Sequence, residues 1–179
     1  MLAETEFIIL PYASERGRSI LQLLANELSN GRWTAFRGAV AFAKQSGNDL
    51  RLLRALAKFA KGGGTVALTI GADVFGPSSR GSEYDAVKTL LETLEPFPDA
   101  KLYLYHERYR TFHPKLYLFS NCHTSRALAI VGSSNWTEGG LVENVEANVL
   151  VKFDLTQREH KIAFDGLVDT LESYWAEEE

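Results

Sequence analysis

His113-Pro114-Lys115 opens the most informative stretch of the chain, which continues with Gly132-Ser133-Ser134-Asn135 and then Asn144-Val145-Glu146. Each of these runs lies at one end of a strand-like stretch of sequence. The histidine and the lysine are two residues apart at the start of such a stretch, so their side chains point to the same face of a strand. An imidazole, an ammonium group, a hydroxyl, an amide and a carboxylate can therefore converge on one phosphate.

These residue types fit phosphoryl transfer without a metal ion. His113 is the candidate nucleophile, and Lys115 is a cation that can reach the same phosphoryl group. Ser133 offers a hydroxyl and Asn135 an amide, and both can bind phosphate oxygens together with Lys115. Glu146 can hold one imidazole nitrogen so that the other attacks. The set predicts catalysis through a covalent phosphohistidine. The predicted catalytic residues are His113, Lys115, Asn135 and Glu146.

The order and spacing of these residues resemble the active-site signature of the phospholipase D superfamily, which reads H-x-K, four residues, D, then G-S-x-N and a later N-x-E. The residues of the chain that match are His113, Lys115, Gly132, Ser133, Asn135 and Glu146. One element departs, because Ser120 stands where the family has an aspartate. In the family that aspartate is mainly structural, and nuclease branches often vary it. The competing interpretation is a set of polar strand-end residues in an ordinary α/β domain.

The rest of the chain predicts an α/β fold with a mixed β-sheet flanked by helices on both faces, in a single domain that spans residues 1–179. Apolar runs of strand length indicate strands over Phe7–Tyr12, Phe36–Phe42, Val66–Ile70, Leu102–Tyr105, Lys115–Phe119, Ala127–Val131 and Val145–Phe153. Apolar residues at helical spacing indicate helices over Ser14–Leu28, Asp49–Ala60 and Ser82–Leu94. In the last of these we expect burial of Tyr84, Val87, Leu91 and Leu94. A final helix follows Thr156 and Glu159, which have the spacing of a capping box.

The charge of the chain limits how it can bind nucleic acid. The net charge is −4 and the pI is about 5.6, which argues against binding through bulk positive charge. DNA must instead meet a local patch, and the candidate DNA-contacting residues are Arg108, Arg110 and Trp136. The alternative for the two arginines is an ordinary solvated loop.

The N-terminal segment and the cysteine content favour a cytoplasmic protein without a cofactor. The chain starts with an acidic segment rather than the basic stretch of a secretory signal, and no apolar run approaches the roughly 18 residues of a membrane span. We therefore expect no membrane partner. Cys122 is the only cysteine, so an intrachain disulfide is ruled out and a zinc site would lack its usual cysteine ligands. We expect no metal ion and no cofactor.

The signature occurs once in the chain. Two-copy members of the superfamily fold two halves against each other, so the resemblance implies that each chain supplies one half-site and that a homodimer forms the complete site. In that dimer, His113 of one chain attacks phosphorus and His113 of the other protonates the leaving oxygen. The rate should then depend on pH in a bell-shaped manner, because one imidazole must be neutral and the other protonated.

Within the superfamily, the chain looks closest to single-motif nucleases and to the nuclease-like domains of restriction enzymes and helicase fusions. The resemblance therefore implies a metal-independent DNA endonuclease, with a role in restriction or defence and with a specificity or helicase partner. A second interpretation is a catalytically silent module that binds nucleic acid and retains the phosphate pocket, in line with Ser120 in place of aspartate. A third interpretation is a phosphodiesterase that acts on lipids or small molecules.

Overall fold

A mixed β-sheet with the strand order β1-β7-β6-β5-β2-β3-β4 organises the computed structural model, which describes residues 3–11, 18–72, 81–107 and 109–175. The strands β2, β3 and β4 run parallel to one another, and the other neighbouring strands are antiparallel. The strands are β1 (Glu4–Leu10), β2 (Ala35–Val40), β3 (Thr65–Gly71), β4 (Ala100–Tyr105), β5 (Lys115–Asn121), β6 (Arg126–Gly132) and β7 (Glu146–Asp154). All the predicted strands are present, although Tyr12 lies outside the described residues.

Helices cover both faces of this sheet, as predicted. The helices are α1 (Ile20–Ser29), α2 (Leu50–Lys61), α3 (Tyr84–Leu94) and α4 (Arg158–Ser173). The first three share a core with Tyr117 and Phe119 of β5, whereas α4 packs against Leu116 and Leu118 of the same strand. Because alternate residues of a strand point to opposite faces, α4 lies on the face opposite the other helices.

The buried stripe of α3 differs from the prediction. Ala86, Leu90 and Leu94 are buried, whereas Tyr84 and Leu91 are exposed, so the expected burial of these last two is wrong. The small side chain of Ala86 allows a close approach to the loop before α2, where Asn48 Nδ2 donates to the Ala86 carbonyl at 3.0 Å. That hydrogen bond lies on the face that α3 turns to the core.

The capping box that the sequence suggested for the last helix is corrected. Thr156 does not cap α4, because its backbone N–H and its hydroxyl both donate to the carboxylate of Asp154, at 3.2 and 2.7 Å. These hydrogen bonds lower the pKa of Asp154. The capping box lies instead on α1, where Ser19 Oγ accepts from the Gln22 N–H at 3.1 Å and the Gln22 side chain accepts from the Ser19 N–H. Residues 14–17, the start predicted for that helix, lie outside the described residues.

The predicted site residues gather at one end of the sheet. Here β2, β3, β4 and β6 end while β5 and β7 begin, with Lys115 opposite Val40 and Leu116 opposite Val131. We call this the catalytic end, and we call the opposite end, around the turn from Asn121 to Arg126, the far end. Ligands of α/β proteins bind beyond the carboxyl ends of parallel strands, which is where the catalytic end lies.

The described residues contain no helix that could span a membrane. None of the helices there combines the length and the apolar character needed to cross a bilayer.

Candidate active site

His113 and Lys115 form the centre of the site. Lys115 Nζ lies 2.8 Å from Nδ1 and 2.9 Å from Nε2 of the His113 imidazole, and it donates to the His113 carbonyl oxygen at 3.0 Å. Lys115 is only 7% exposed, whereas His113 is exposed. The ammonium group is therefore held beneath an imidazole that solvent and a substrate can reach.

The surroundings of Lys115 change its protonation. Burial lowers the pKa of its ammonium group, and the carboxylate of Glu146 acts in the opposite direction by attraction. Two residues further along β5, burial raises the pKa of the Tyr117 phenol, so that this side chain stays neutral. The Tyr117 hydroxyl donates to the carbonyl oxygen of Ser134 at 2.9 Å and thereby ties β5 to the Gly-Ser-x-Asn loop.

Ser133 and Glu146 lie side by side on neighbouring strand ends. Ser133 Oγ donates a short hydrogen bond to Glu146 Oε2 and accepts from the Ala147 N–H at 3.1 Å. Asn144 Nδ2 donates to the other carboxylate oxygen at 3.4 Å. In the single chain, the hydrogen bonds of Glu146 thus go to Ser133 and Asn144, while Lys115 is the group beside the imidazole.

The geometry of the loop after β6 explains why its first residues are glycine and serine. A Cβ on Gly132 would lie 2.3 Å from Asn148 Oδ1 and 2.4 Å from the Ala147 carbonyl oxygen, which leaves no room for a side chain. Ser134 is fully buried, and its hydroxyl accepts from Asn148 Nδ2 at 2.9 Å. Asn148 therefore locks the loop onto β7 and turns the neighbouring Ser133 towards the catalytic end.

Asn135 is held by the segment that follows β2. Its Oδ1 accepts from the Phe42 N–H at 3.1 Å, which commits the oxygen and leaves the amide NH2 group as the part able to donate to a ligand. The Phe42 ring also lies edge-on to His113, with ring centroids 6.0 Å apart. Phe42 thus contacts both the predicted nucleophile and the predicted phosphate donor.

The structure corrects one candidate DNA contact. Trp136 is fully buried, and its indole N–H donates to Asn48 Oδ1 at 2.9 Å, so it is a core residue that DNA cannot reach. Arg110 is exposed near the catalytic end, with Nε 3.6 Å from a carboxylate oxygen of Glu107. Arg108 lies outside the described residues.

Ser120, which replaces the family aspartate, lies away from this centre. It is five residues beyond Lys115 on β5, a separation of about 17 Å along an extended strand. The polar side chain that organises the adjoining turn is that of Asn121, which donates to the Arg32 carbonyl oxygen at 2.6 Å and accepts from the His123 N–H at 2.9 Å. The change at position 120 therefore leaves the contacts around His113 untouched.

Three residues that support the site were missed from the sequence: Phe42, Tyr117 and Asn148. Tyr117 and Asn148 each lie two residues after a predicted site residue on the same strand face, and this spacing is the signal that would have found them. Phe42 carries no comparable signal, because its contact with Asn135 joins residues 93 positions apart. Among the described residues, no cluster of three or more His, Cys, Asp or Glu side chains is arranged to hold a metal ion.

The site and fold agree with a known family. A family model described as "Cardiolipin synthase, PLD-like domain", where PLD stands for phospholipase D, matches residues 35–168. The match covers most of the chain and includes every predicted site residue. The chain therefore belongs to the phospholipase D-like family, and it has the phosphodiesterase fold of the phospholipase D superfamily. A search of the curated proteins gave no significant match.

Solved structures show the same fold at low sequence identity. NucT from Helicobacter pylori is 16% identical with a TM-score of 0.63, and the match covers 96% of this chain and 97% of NucT. Nuc from Salmonella typhimurium, a phospholipase D family member, is 17% identical with a TM-score of 0.61, and the match covers 97% and 94% of the two chains. Phosphatidylserine synthase from Haemophilus influenzae is 14% identical with a TM-score of 0.61, and the match covers 96% of this chain but only 38% of the synthase. The chain thus corresponds to the whole of Nuc and NucT and to a part of the synthase.

Proposed function

We propose that the chain is a phosphodiesterase and, more narrowly, a DNA endonuclease that works through a covalent phosphohistidine without a metal ion. The observation that carries this proposal is the exposed imidazole of His113 with the buried ammonium group of Lys115 at 2.8 and 2.9 Å from its nitrogens. A nucleophile is thereby paired with a cation that can neutralise the phosphoryl oxygens it attacks. The match in length to Nuc and NucT supports a small enzyme of one unit per chain.

The reaction takes place in two displacements at phosphorus. A neutral imidazole nitrogen of His113 forms a bond to phosphorus, and the bond to the leaving oxygen breaks as that oxygen takes a proton from the imidazolium of His113 in a second copy of the chain. Water then attacks the phosphohistidine and gives its proton to the second imidazole. The phosphorus–nitrogen bond breaks, and both histidines return to their starting protonation states.

The remaining residues stabilise the charge that develops on the non-bridging oxygens. Lys115 contributes its ammonium group and Asn135 its amide NH2, and Ser133 contributes its hydroxyl once the proton that it donates to Glu146 in the free chain turns to the phosphate. Removing one such donor typically costs about 3 kcal/mol of transition-state stabilisation. Glu146 orients the imidazole of a functional dimer in this proposal, and its charge also favours the protonated form of Lys115.

An apolar strip beside the catalytic end supports assembly into a homodimer. Phe7, Val149, Val131 and Leu116 lie opposite one another across β1, β7, β6 and β5, and Ile9 lies two residues beyond Phe7. Helix α4 covers only part of this row, because Leu116 is 7% exposed whereas Val131 is 42% and Phe7 is 74% exposed. We define the apolar strip as Phe7, Ile9, Val131 and Val149.

A second copy of the chain is the proposed occupant of this strip. The strip lies near the strand ends that carry Ser133 and Glu146, on the face of the sheet that α4 covers, whereas the side chains of Lys115 and Glu146 point to the other face. In this proposal the two-fold axis passes beyond these strand ends and brings together two strips as well as two His113 residues. In light scattering, Phe7→Ser combined with Val131→Ser should give monomers. Leu91→Ser removes a half-exposed apolar side chain from α3, which covers the other face, and should leave the dimer intact. A dimer that survives the double substitution would place the interface elsewhere.

The main test is a cleavage assay in excess EDTA with supercoiled plasmid and single-stranded DNA. The wild type should cut with EDTA present, and His113→Ala should not. His123→Ala is the matched control, because His123 is an exposed histidine in the turn at the far end. Abolition of cutting by EDTA with recovery in magnesium would overturn the mechanism. Binding of DNA without any cutting would identify the silent module instead. A role in restriction or defence with a specificity or helicase partner extends the proposal by analogy only.

A lipid phosphodiester is the second candidate substrate. It is favoured by the description of the matching family model, which names a cardiolipin synthase. The same protein sample should therefore be incubated with vesicles of phosphatidylglycerol, and the products separated by thin-layer chromatography. Conversion of the lipid together with intact DNA would replace the nuclease assignment.

A further inference from the structure

The segment that delivers His113 to the site depends on side-chain packing. Residues 106–114 join β4 to β5, and those that the structure describes belong to neither helix nor strand. His113 itself is exposed, whereas its neighbour Phe112 is buried. What holds Phe112 therefore helps to set the position of the imidazole, together with the direct contacts that Lys115 and Phe42 make to His113.

Two tyrosines from distant parts of the chain hold the Phe112 ring. Tyr105, the last residue of β4, stacks on it with ring centroids 4.5 Å apart, and Tyr174 meets it edge-on at 5.0 Å. Tyr174 also lies edge-on to Tyr105 at 5.6 Å, so the three rings contact one another. Gly71 permits this packing, because a Cβ there would lie 3.1 Å from Phe112 Cδ1 and 2.5 Å from the Ala41 carbonyl oxygen.

The residue after Tyr174 fixes the same end of α4 to the sheet. Trp175 stacks on Tyr103 of β4 with ring centroids 4.9 Å apart and an angle of 10° between the planes. Its indole N–H donates to Oγ1 of the fully buried Thr69 on β3 at 2.9 Å. The anchored Trp175 thus holds the adjacent Tyr174 in place, and the Tyr174 ring can act as a fixed support for Phe112.

We propose that Tyr174 is a positioning residue for His113, acting through Phe112 and Tyr105. The inference rests on the proposed function in taking His113 as the nucleophile. A displacement of about 1 Å at the reacting group can cost a factor on the order of 100 in rate, so a ring that fixes the preceding residue controls turnover without touching substrate. Lys115, Ser133 and Asn135 lie on or beside strands, so in this proposal their contacts with phosphate do not depend on the ring.

The kinetic test compares Tyr174→Leu with Tyr174→Phe and with Phe164→Leu. Tyr174→Leu keeps an apolar side chain but loses the edge-on ring contacts to Phe112 and Tyr105, and kcat should fall by about 10- to 100-fold while KM changes by less than about twofold. Tyr174→Phe keeps the ring and should restore kcat. Phe164→Leu is the matched control, since Phe164 is a buried ring of α4 that packs on Phe153 with ring centroids 5.5 Å apart. Equal losses of kcat in the two leucine variants would overturn the proposal.

A second measurement does not depend on turnover. Arg110 is exposed within the His113 segment, so trypsin cleavage after Arg110 reports how firmly the segment is held. The cleavage rate should rise on the order of tenfold in Tyr174→Leu and stay near the wild-type value in Phe164→Leu. Equal cleavage rates in the two variants would refute the clamp even in an active enzyme. Faster cleavage of Tyr174→Leu alone would support it even if the wild type cuts no DNA, an outcome that would refute only the proposed function.

Discussion

The two ends of the sheet satisfy their polar groups in different ways. At the far end, Asn121 closes the turn by hydrogen bonds to backbone atoms, and some of the polar groups that line a cavity of about 620 Å³ already have partners. Among these, Lys152 Nζ lies 2.6 Å from Glu4, and the Trp33 indole donates to Glu27 at 2.6 Å.

At the catalytic end, in contrast, polar groups face outward. The His113 imidazole is exposed, and the amide NH2 of Asn135 is left for a ligand once its oxygen has bound Phe42. The size of a cavity is therefore a poor guide to the site in this molecule, because the far end has the room and the catalytic end has the reactive groups. Ser120, which occupies the aspartate position of the family, lies at the far end, where the polar groups have structural rather than catalytic roles.

The largest expected difference between the two ends concerns their histidines. His113→Ala should lower kcat/KM for DNA by at least about 1,000-fold, because no other group in the proposed mechanism can form the covalent bond. His123→Ala should leave kcat/KM unchanged within about twofold, since the His123 contact to Asn121 uses the backbone N–H. Comparable losses in both variants, with both proteins folded by circular dichroism, would place the chemistry elsewhere.

A smaller effect is expected when the amide NH2 of Asn135 is removed and its oxygen is kept. Asn135→Asp keeps an oxygen for the Phe42 N–H but removes the NH2 donors, so kcat should fall by about 100-fold while the melting temperature changes little. Asn30→Ala provides a surface control, because Asn30 donates to Glu27 on α1, remote from His113. A loss of stability in Asn135→Asp with normal kcat would make the residue purely structural.

Deprotonation of the buried Lys115 should be visible in the pH profile of kcat/KM. Because burial lowers the pKa of Lys115, its ammonium form is lost, as pH rises, below the value of about 10.4 typical of lysine. Above the pKa of Lys115, the alkaline limb of the bell-shaped profile of kcat/KM should therefore steepen to about 100-fold per pH unit. The imidazolium that donates a proton and the Lys115 ammonium are then both being deprotonated. Lys115→Arg stays charged, so its profile should lose the second break at a reduced rate. A second break that persists in Lys115→Arg would assign it to another group.

The smallest expected effect is at the family's aspartate position. Ser120→Asp should change kcat by less than about twofold, because the residue lies about 17 Å from Lys115 along β5. Steady-state kinetics of the purified variant would measure this directly. A gain of tenfold or more would mean that Ser120 keeps the natural chain in a silent state.

Local patterns predicted the strands and the order of the site residues, but they could not predict long-range packing. The run Leu116–Phe119 is apolar and lies between Lys115 and Ser120, so its strand and the face shared by His113 and Lys115 follow from spacing alone. Trp136 was misplaced because a tryptophan beside a loop motif can face either solvent or core, and here Asn48 provides the buried acceptor. The packing of Tyr174 on Phe112 joins residues 62 positions apart and leaves no local signal.

The expected capping box at Thr156 failed for a more local reason. The Thr156 hydroxyl and N–H both donate to Asp154, the last residue of β7, and are therefore not available to cap the helix. This arrangement depends on where β7 ends and not on helix propensity. The buried face of α3 likewise includes the contact between Asn48 and Ala86, which no periodicity in the helix reveals.

The central claim is that two copies of His113 share one catalytic centre, and subunit mixing tests it most directly. Wild type and His113→Ala should be co-refolded in equal amounts with different tags, and random pairing should be verified by pull-down. About a quarter of the dimers are then wild-type homodimers, so activity should fall to about a quarter of that of an all-wild-type sample at equal total protein. Activity of about half, which independent sites in each chain would give, or full activity in a sample that light scattering shows to be monomeric, would contradict the shared site.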